Sequence, residues 1–218
     1  MIHLKNVTKF YEVKGERNYI FKDASFSIPA DKNLGILGRN GAGKSTLLRM
    51  LGGIDFPNSG RIESDLRFSW PLGLAGGFQG SLTGKENAKF VCRFYGKSPR
   101  HIRKALDFVK EFSELGDYFD MPIKTYSSGM KARLGFSLSM AFDFDCYLID
   151  EVLSVGDKKF KEKGVQAVLD LKGRSTILLV SHDMNTLKKM CDSGVYLDGG
   201  ELTYFDDIKD AVDAYQRN

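Results

Sequence analysis

The chain has 218 residues, and its 32 Lys and Arg against 28 Asp and Glu leave a net charge of +4, too small for a dedicated nucleic-acid-binding tail. With 42% hydrophobic and 28% charged residues and only 5 prolines, it has the composition of a compact domain rather than a disordered or fibrous chain. No stretch approaches the ~20 apolar residues needed to cross a bilayer, so no membrane span is expected. The N-terminus alternates like a strand and lacks a basic region, a long apolar run and a cleavage site, so the chain is expected to stay inside the cell. Cys92, Cys146 and Cys191 are far apart and form no CxxC pair, which supports neither a disulfide framework nor a zinc site.

Taken in chain order, strand patterns come first, at Ile2 to Val7, Tyr19 to Phe21, Phe26 to Ile28 and Leu34 to Leu37. A glycine-rich turn then runs into good helix formers from Ser45 to Leu51. Residues 61–70 return to strand character, and an apolar, glycine-rich connection follows from Pro71 to Phe78. From about 85 to 142 the period is helical: Ala88, Val91 and Tyr95 share one face, Ile102, Ala105, Leu106, Val109 and Phe112 a second, and Met130, Leu134, Leu138, Ala141 and Phe142 a third. Ser98 before Pro99 reads as a helix cap with proline in the first turn. From Cys146 onward strands and helices alternate: Cys146 to Ile149, a helix over about 158–172, Thr176 to Val180, a helix over about 183–191, then Val195 to Leu197 and Leu202 to Phe205. This predicts a mainly parallel sheet with helices on both faces.

Gly38-Arg39-Asn40-Gly41-Ala42-Gly43-Lys44-Ser45, followed by Thr46, fits G-x-x-x-x-G-K-[ST] between a predicted strand and a predicted helix. Glycines let successive backbone N–H groups curl toward one point at the positive end of a helix, which is where nucleotide phosphates bind. Lys44 would reach the β- and γ-phosphates and Ser45 would ligate Mg²⁺. Cys146 to Ile149 is an apolar strand that ends in Asp150 and Glu151. Alone, such acids more often start a loop or cap a helix. With a phosphate loop upstream, Asp150 is read as holding Mg²⁺, directly or through water, and Glu151 as the general base for an attacking water. The strand Thr176 to Val180 brings His182 to the same sheet edge, where a phosphate-contacting role is expected. Ser127, Ser128 and Gly129 open the third helical stripe, either as a second anion site or as simple serine capping.

These motifs resemble, in order and over essentially the whole chain, the ATP-binding subunits of ABC transporters: a Walker A at Gly38 to Ser45, a signature at Ser127 to Met130, a Walker B at Asp150-Glu151, a D-loop at Ser154 to Asp157 and a switch histidine at His182. The resemblance implies an α/β fold, a P-loop NTPase core of the ABC ATPase type with a small antiparallel β subdomain and an inserted α-helical subdomain. It implies a single domain over 1–218, with the core at 1–78 and 144–218 and the helical subdomain at 79–143. It implies that Tyr11 stacks on adenine, and that two copies sandwich two ATPs between the Walker A of one and the signature of the other. Two departures stand out. Ser128 and Met130 replace the usual Gly and Gln of the signature, and Gln79, the glutamine expected to reach Mg²⁺ or the attacking water, sits closer to Leu82-Thr83-Gly84 than the family spacing.

Tyr-Ser-Ser-Gly-Met at 126–130, Leu-Thr-Gly-Lys-Glu-Asn at 82–87 and Asp-Glu-Val-Leu-Ser-Val-Gly-Asp at 150–157 resemble the polysaccharide-export branch, and within it the capsular polysaccharide exporters of the polysialic-acid transport type. The resemblance implies an ATP hydrolase at the cytoplasmic face of the inner membrane, working as a homodimer under a separate polytopic permease, with ATP and Mg²⁺ as cofactors and no nucleic-acid partner. About a dozen residues follow Phe205, so no carbohydrate-binding domain is expected there. The segment Trp70 to Phe78 is either the permease contact or packing between subdomains. The alternatives are a teichoic-acid, O-antigen or drug exporter; a soluble ABC ATPase, which would usually carry two cassettes or a coiled-coil insertion; and a GTPase or kinase sharing only the phosphate loop.

Overall fold

The computed structural model describes residues 1–72, 77–150 and 157–217. The chain divides into two compact units, Met1–Pro71 with Phe144–Glu151 and Leu169–Asn218, and Leu72–Asp143 with Val152–Val168.

The first unit holds two sheets. β1 (Ile2–Val13) and β2 (Glu16–Ile28) form a long antiparallel hairpin, and β4 (Ser59–Ser64) pairs with the other edge of β1. The hairpin turns on Lys14 and Gly15, whose φ angles of 53° and 84° are the left-handed pair that a tight two-residue turn requires. Register shifts between Leu4 and Phe10 break the alternation of β1, which is why the sequence predicts only its first half as strand.

The second sheet has the order β5-β6-β3-β7-β8. β3 (Leu34–Leu37), β5 (Cys146–Asp150), β6 (Thr176–Val180) and β7 (Ser193–Asp198) run parallel, and β8 (Glu201–Phe205) returns antiparallel beside β7. β3, β5 and β6 are buried almost throughout, so they read as continuous apolar runs. Period two sorts their side chains. Leu34, Ile36, Cys146, Leu148, Leu178, Val180, Val195 and Leu197 join Leu47 and Leu48 of α1 (Lys44–Leu51) and Ile2, Leu4, Val7 and Phe21 of the antiparallel sheet in one core. On the opposite face, a Cβ at Gly35 would press on Leu187 and Ile208, and one at Gly194 on Ala211. The absent side chains let α6 (Met184–Met190) and α7 (Ile208–Arg217) lie close against the sheet. α7 is a short helix beyond the strands expected from the sequence, and Ile208, Ala211 and Val212 carry its buried stripe.

The second unit is helical. α2 (Gly84–Phe94) begins with a capping box in which Thr83 and Glu86 satisfy each other's backbone N–H groups. α3 (Pro99–Ser113) starts at the predicted Ser98 cap with Pro99 in its first turn. Two short 3-10 helices, Gly116–Asp120 and Ile123–Thr125, lead to α4 (Ser128–Met140). α5 (Lys158–Leu169) ends three residues earlier than expected, in a turn that leads to Gly173 at φ 84°. Phe112, Phe136 and Phe160 stack mutually at centroid distances of 5.9–6.1 Å, joining α3, α4 and α5.

Candidate functional site

Leu37 leaves the buried strand β3 and the chain turns through residues 38–43 into α1. Gly43 is the N-cap, at φ 105°, and offers no side-chain bond to the helix. A Cβ there would run into the Ile20 side chain of β2, and one at Gly38 into the Leu197 carbonyl of β7. Only glycine fits at both points, which keeps the loop backbone bare. The first-turn N–H groups of Lys44, Ser45 and Thr46 have no acceptor within the helix and sit at its positive end. They open on a pocket of about 270 Å³ lined by Ile20, Asn40, Gly41, Gly43, Lys44, Ser45 and Thr46. Lys44 is 8% exposed, and its Nζ donates to the carbonyls of Gly38 at 2.7 Å and Arg39 at 3.0 Å. Arg39 and Asn40 are exposed, and Ala42 turns back to pack against the core.

The sheet register brings more chemistry to this edge. Asp150 lies opposite Val180, and Val180 opposite Ile36, so the carboxyl ends of β5, β6 and β3 are level. Asp150 is half-buried there, and His182, two residues beyond β6, is exposed. Asp183 next to it caps α6, accepting N–H bonds from Asn185 and Thr186 at 3.0 and 3.3 Å. The Ser45 hydroxyl and the Asp150 carboxylate are hard oxygen donors. Among the described residues no three or more His, Cys, Asp or Glu side chains cluster as a metal cage. A small protein donor set of this kind fits a cation that keeps water and phosphate oxygens in its shell, as Mg²⁺ does, and does not fit zinc. Glu151 and the segment 152–156 lie outside the described residues.

A larger hollow of about 450 Å³, bordered by Asn33, Asp145, Arg174 and Thr176, opens at the amino ends of the same strands. Parallel sheets bind ligands at the carboxyl ends, so the smaller glycine-lined pocket is the candidate site.

Tyr11, on β1, lies opposite Asn18, two residues along β2 from the Ile20 that lines the pocket. Its hydroxyl donates to Asp55 at 2.6 Å, and the ammonium of Lys9 lies 4.8 Å from its ring centroid. Lys9, only 6% exposed, donates to Asp55 at 2.5 Å and to the Phe56 carbonyl at 2.9 Å. Burial pushes the Asp55 carboxyl up, but the bonds from Lys9 and Tyr11 outweigh it and hold the group below its ordinary value. The ring is therefore fixed at its hydroxyl while remaining 38% exposed. Lys9 and Asp55 were not singled out in the sequence. Lys9, two positions before Tyr11 in the sequence, was the nearest signal for that setting.

The remaining candidates belong to the second unit. Ser127 is the N-cap of α4 and accepts the Met130 N–H at 3.2 Å, while Ser128 and Gly129 form the first turn. Both serines are exposed. Gln79 is exposed, and its backbone is clamped by Asn87, whose Oδ1 accepts the Gln79 N–H at 2.8 Å and whose Nδ2 donates to the Gln79 carbonyl at 3.1 Å. Asn87 also donates to the carbonyls of Leu82 and Thr83, so one buried amide fixes the whole 79–83 loop. A polar residue beside Ala88 on the buried face of α2 was the sequence signal for it. Asp157 pairs with Arg133 at 2.6 Å and accepts the Phe160 N–H at 2.9 Å. Trp70, in the first unit, is half-buried and meets Phe144 edge to face at 5.5 Å, while residues 73–76 of its segment lie outside the described residues.

The family model for the ABC transporter matches residues 21–154. The polysialic acid transport ATP-binding protein KpsT of Escherichia coli is 52% identical over 99% of this chain and 96% of its own. The ATP-binding protein BexA of Haemophilus influenzae is 46% identical over 99% of this chain and 98% of its own. The capsule polysaccharide export ATP-binding protein CtrD of Neisseria meningitidis serogroup B is 44% identical over the same shares. Among solved structures, the dimeric MJ0796, a bacterial ABC transporter cassette, superposes with a TM-score of 0.78 at 26% identity, over 95% of this chain and 99% of that one. With its glycine-lined pocket at the carboxyl ends of a parallel sheet and full-length likeness to these proteins, the chain belongs to the ABC transporter family, in the group of ATP-binding proteins that includes KpsT, BexA and CtrD.

Proposed function

We propose that this chain is the ATP-binding and ATP-hydrolysing subunit of an ABC transporter that exports capsular polysaccharide across the inner membrane through a separate polytopic permease, working as a homodimer at the cytoplasmic face. The observation that carries the reading is the 52% identity to KpsT across nearly the full length of both chains. In this reading the N–H groups of residues 39–46 and the Lys44 ammonium hold the β- and γ-phosphates of ATP, and the exposed ring of Tyr11 stacks on adenine. Ser45 and Asp150 hold Mg²⁺, with Gln79 as a further ligand. When bound, the ion neutralises charge on the phosphate oxygens and orients them. Glu151 takes the proton of the attacking water and His182 contacts the γ-phosphate. Ser127, Ser128 and Gly129 of a second copy complete the site from the opposite side, so binding energy from ATP is spent on closing the dimer and is released on hydrolysis.

The test is restoration of surface capsule in an encapsulated strain deprived of its own export ATPase. This chain, co-expressed with its own permease, is expected to restore export. Normal ATP turnover without any export would remove the cargo assignment and leave the ATPase intact. An absence of ATP turnover would remove both.

A further inference from the structure

In the second unit, the loop from Gln79 to Gly84 is sewn to the segment that leads into α4. The Lys124 N–H donates to the Gly80 carbonyl and the Ile123 N–H to the Leu82 carbonyl, both at 2.9 Å, and the Gly84 N–H donates to the Met121 carbonyl at 3.3 Å. Thr83 and Pro122 face each other as an antiparallel bridge. At the end of this ribbon stands Tyr126, the residue before the Ser127 cap. Tyr126 is 5% exposed, its ring meets that of Tyr118 edge to face at 6.3 Å, and its hydroxyl donates to the Tyr118 carbonyl. The same hydroxyl lies so close to Gly84, the first residue of α2, that a Cβ there would collide with it. A phenylalanine would fill the space as well. What the hydroxyl adds is a fixed position for the end of the ring, because a buried phenol that moved off its acceptor would carry an unmet donor. One side chain therefore holds Ser127 through the chain and the end of the Gln79 loop through contact.

We propose that Tyr126 is a positioning residue that keeps the Gln79 loop and the Ser127 end of α4 in one register, so that the two shift as one body. Resting on the two-copy reading of the site, this tie deepens it: there Gln79 serves the ATP of its own chain, whereas Ser127 is lent to the ATP of the second copy. A change at either nucleotide is then felt at the other. Moving the loop without the helix start would break the main-chain bonds, the bridge and the buried phenol bond together, and that cost favours joint movement. Asn87 does not supply the tie, since every bond of its side chain ends within residues 79–83. A tie of this kind is a coupling free energy between two like sites, and its signature is cooperative turnover.

The test is phosphate release by the full chain as a function of ATP concentration, for the native protein, for Tyr126→Phe and for a control. The control is Val109→Ala, which opens a cavity at a fully buried position of α3 in the same unit. The native chain is expected to give a Hill coefficient near the limit of about two set by two sites, and Tyr126→Phe to bring it down to about one. ATP binding measured at a protein concentration too low for two copies to meet should be the same in both, which also confirms that the variant is folded. In a Glu151→Gln background, Tyr126→Phe should raise several-fold the ATP concentration at which two copies pair. Val109→Ala should lower stability and leave the Hill coefficient alone. A Hill coefficient untouched by Tyr126→Phe, or an equal fall in Val109→Ala, would overturn the proposal while ATP-driven pairing of Glu151→Gln kept the two-copy reading in place. Failure of Glu151→Gln to pair under saturating ATP would remove that reading and the proposal with it.

Discussion

Two helices of this protein begin at proposed phosphate contacts, and they begin differently. At α1 the cap is Gly43, which has no side chain to satisfy the first-turn N–H groups. At α4 the cap is Ser127, whose Oγ already accepts the Met130 N–H at 3.2 Å. The first helix has no side-chain cap over its first turn, which leaves that end open to an external anion. The second is complete by itself, as the capping preference of serine leads one to expect. The contrast suits a division of labour in which α1 holds nucleotide within one chain, while Ser127 meets nucleotide only when a second copy closes over it.

Lys44→Ala tests the strong side of this contrast. Removing the ammonium that lies against the loop is expected to cut ATP turnover by at least about a hundredfold, measured by phosphate release. Ordinary turnover would show that the loop is not the phosphate site. Gly43→Ala tests why the cap must be bare. A Cβ at φ 105° and against Ile20 is expected to cost about 1–3 kcal/mol of stability in urea unfolding and to weaken ATP binding in step. An unchanged midpoint would mean that the loop tolerates a side chain. Ser127→Ala is expected to cost about 1 kcal/mol through the lost cap, with ATP binding to the single chain unchanged. Weakened binding by the monomer would erase the distinction between the two helix starts.

The smallest effect expected is one of pH, at the amino end of the sheet. The Arg67 side chain and backbone N–H, both bonded to Asp145, lower its carboxyl from 3.8 to about 2. A depressed carboxylate pKa stabilises the fold above its unfolded value and loses that contribution as pH falls through the folded one. The stability gap between the native chain and Asp145→Asn should therefore be constant near neutrality and shrink between about pH 4 and 2. A gap that stays constant down to pH 2 would show that the Arg67 bonds do not act on the charge. The pair is exposed, so the gap will be small.

What the sequence disclosed follows from how local each feature is. The phosphate loop is contiguous, and its glycines, lysine and serine are required at fixed spacing, so it could be read directly. Asp150 and His182 were placed on the same edge as the loop because parallel strands can only bring their carboxyl ends together. The alternation from Cys146 onward likewise foretold the parallel sheet, and the structural neighbours bear out the fold class. Tertiary choices were harder to read. The second half of β1 was missed because register shifts scramble its period, and α7 because its short stripe follows an antiparallel return. The setting of Tyr11 depends on Lys9 and Asp55, 46 residues apart in sequence. The clamp on Gln79 depends on Asn87, an amide whose partners are all backbone groups and therefore leave no trace in residue identity.

The central claim is that one chain grips the phosphates of ATP and a second copy finishes the site. The most direct measurement is the mass of Glu151→Gln by size-exclusion chromatography with light scattering, with and without ATP and Mg²⁺. The account predicts a species of twice the 24.4 kDa chain mass that forms only with ATP and retains one nucleotide per chain. A single-chain mass under saturating ATP, or a dimer that forms equally well without it, would contradict the account.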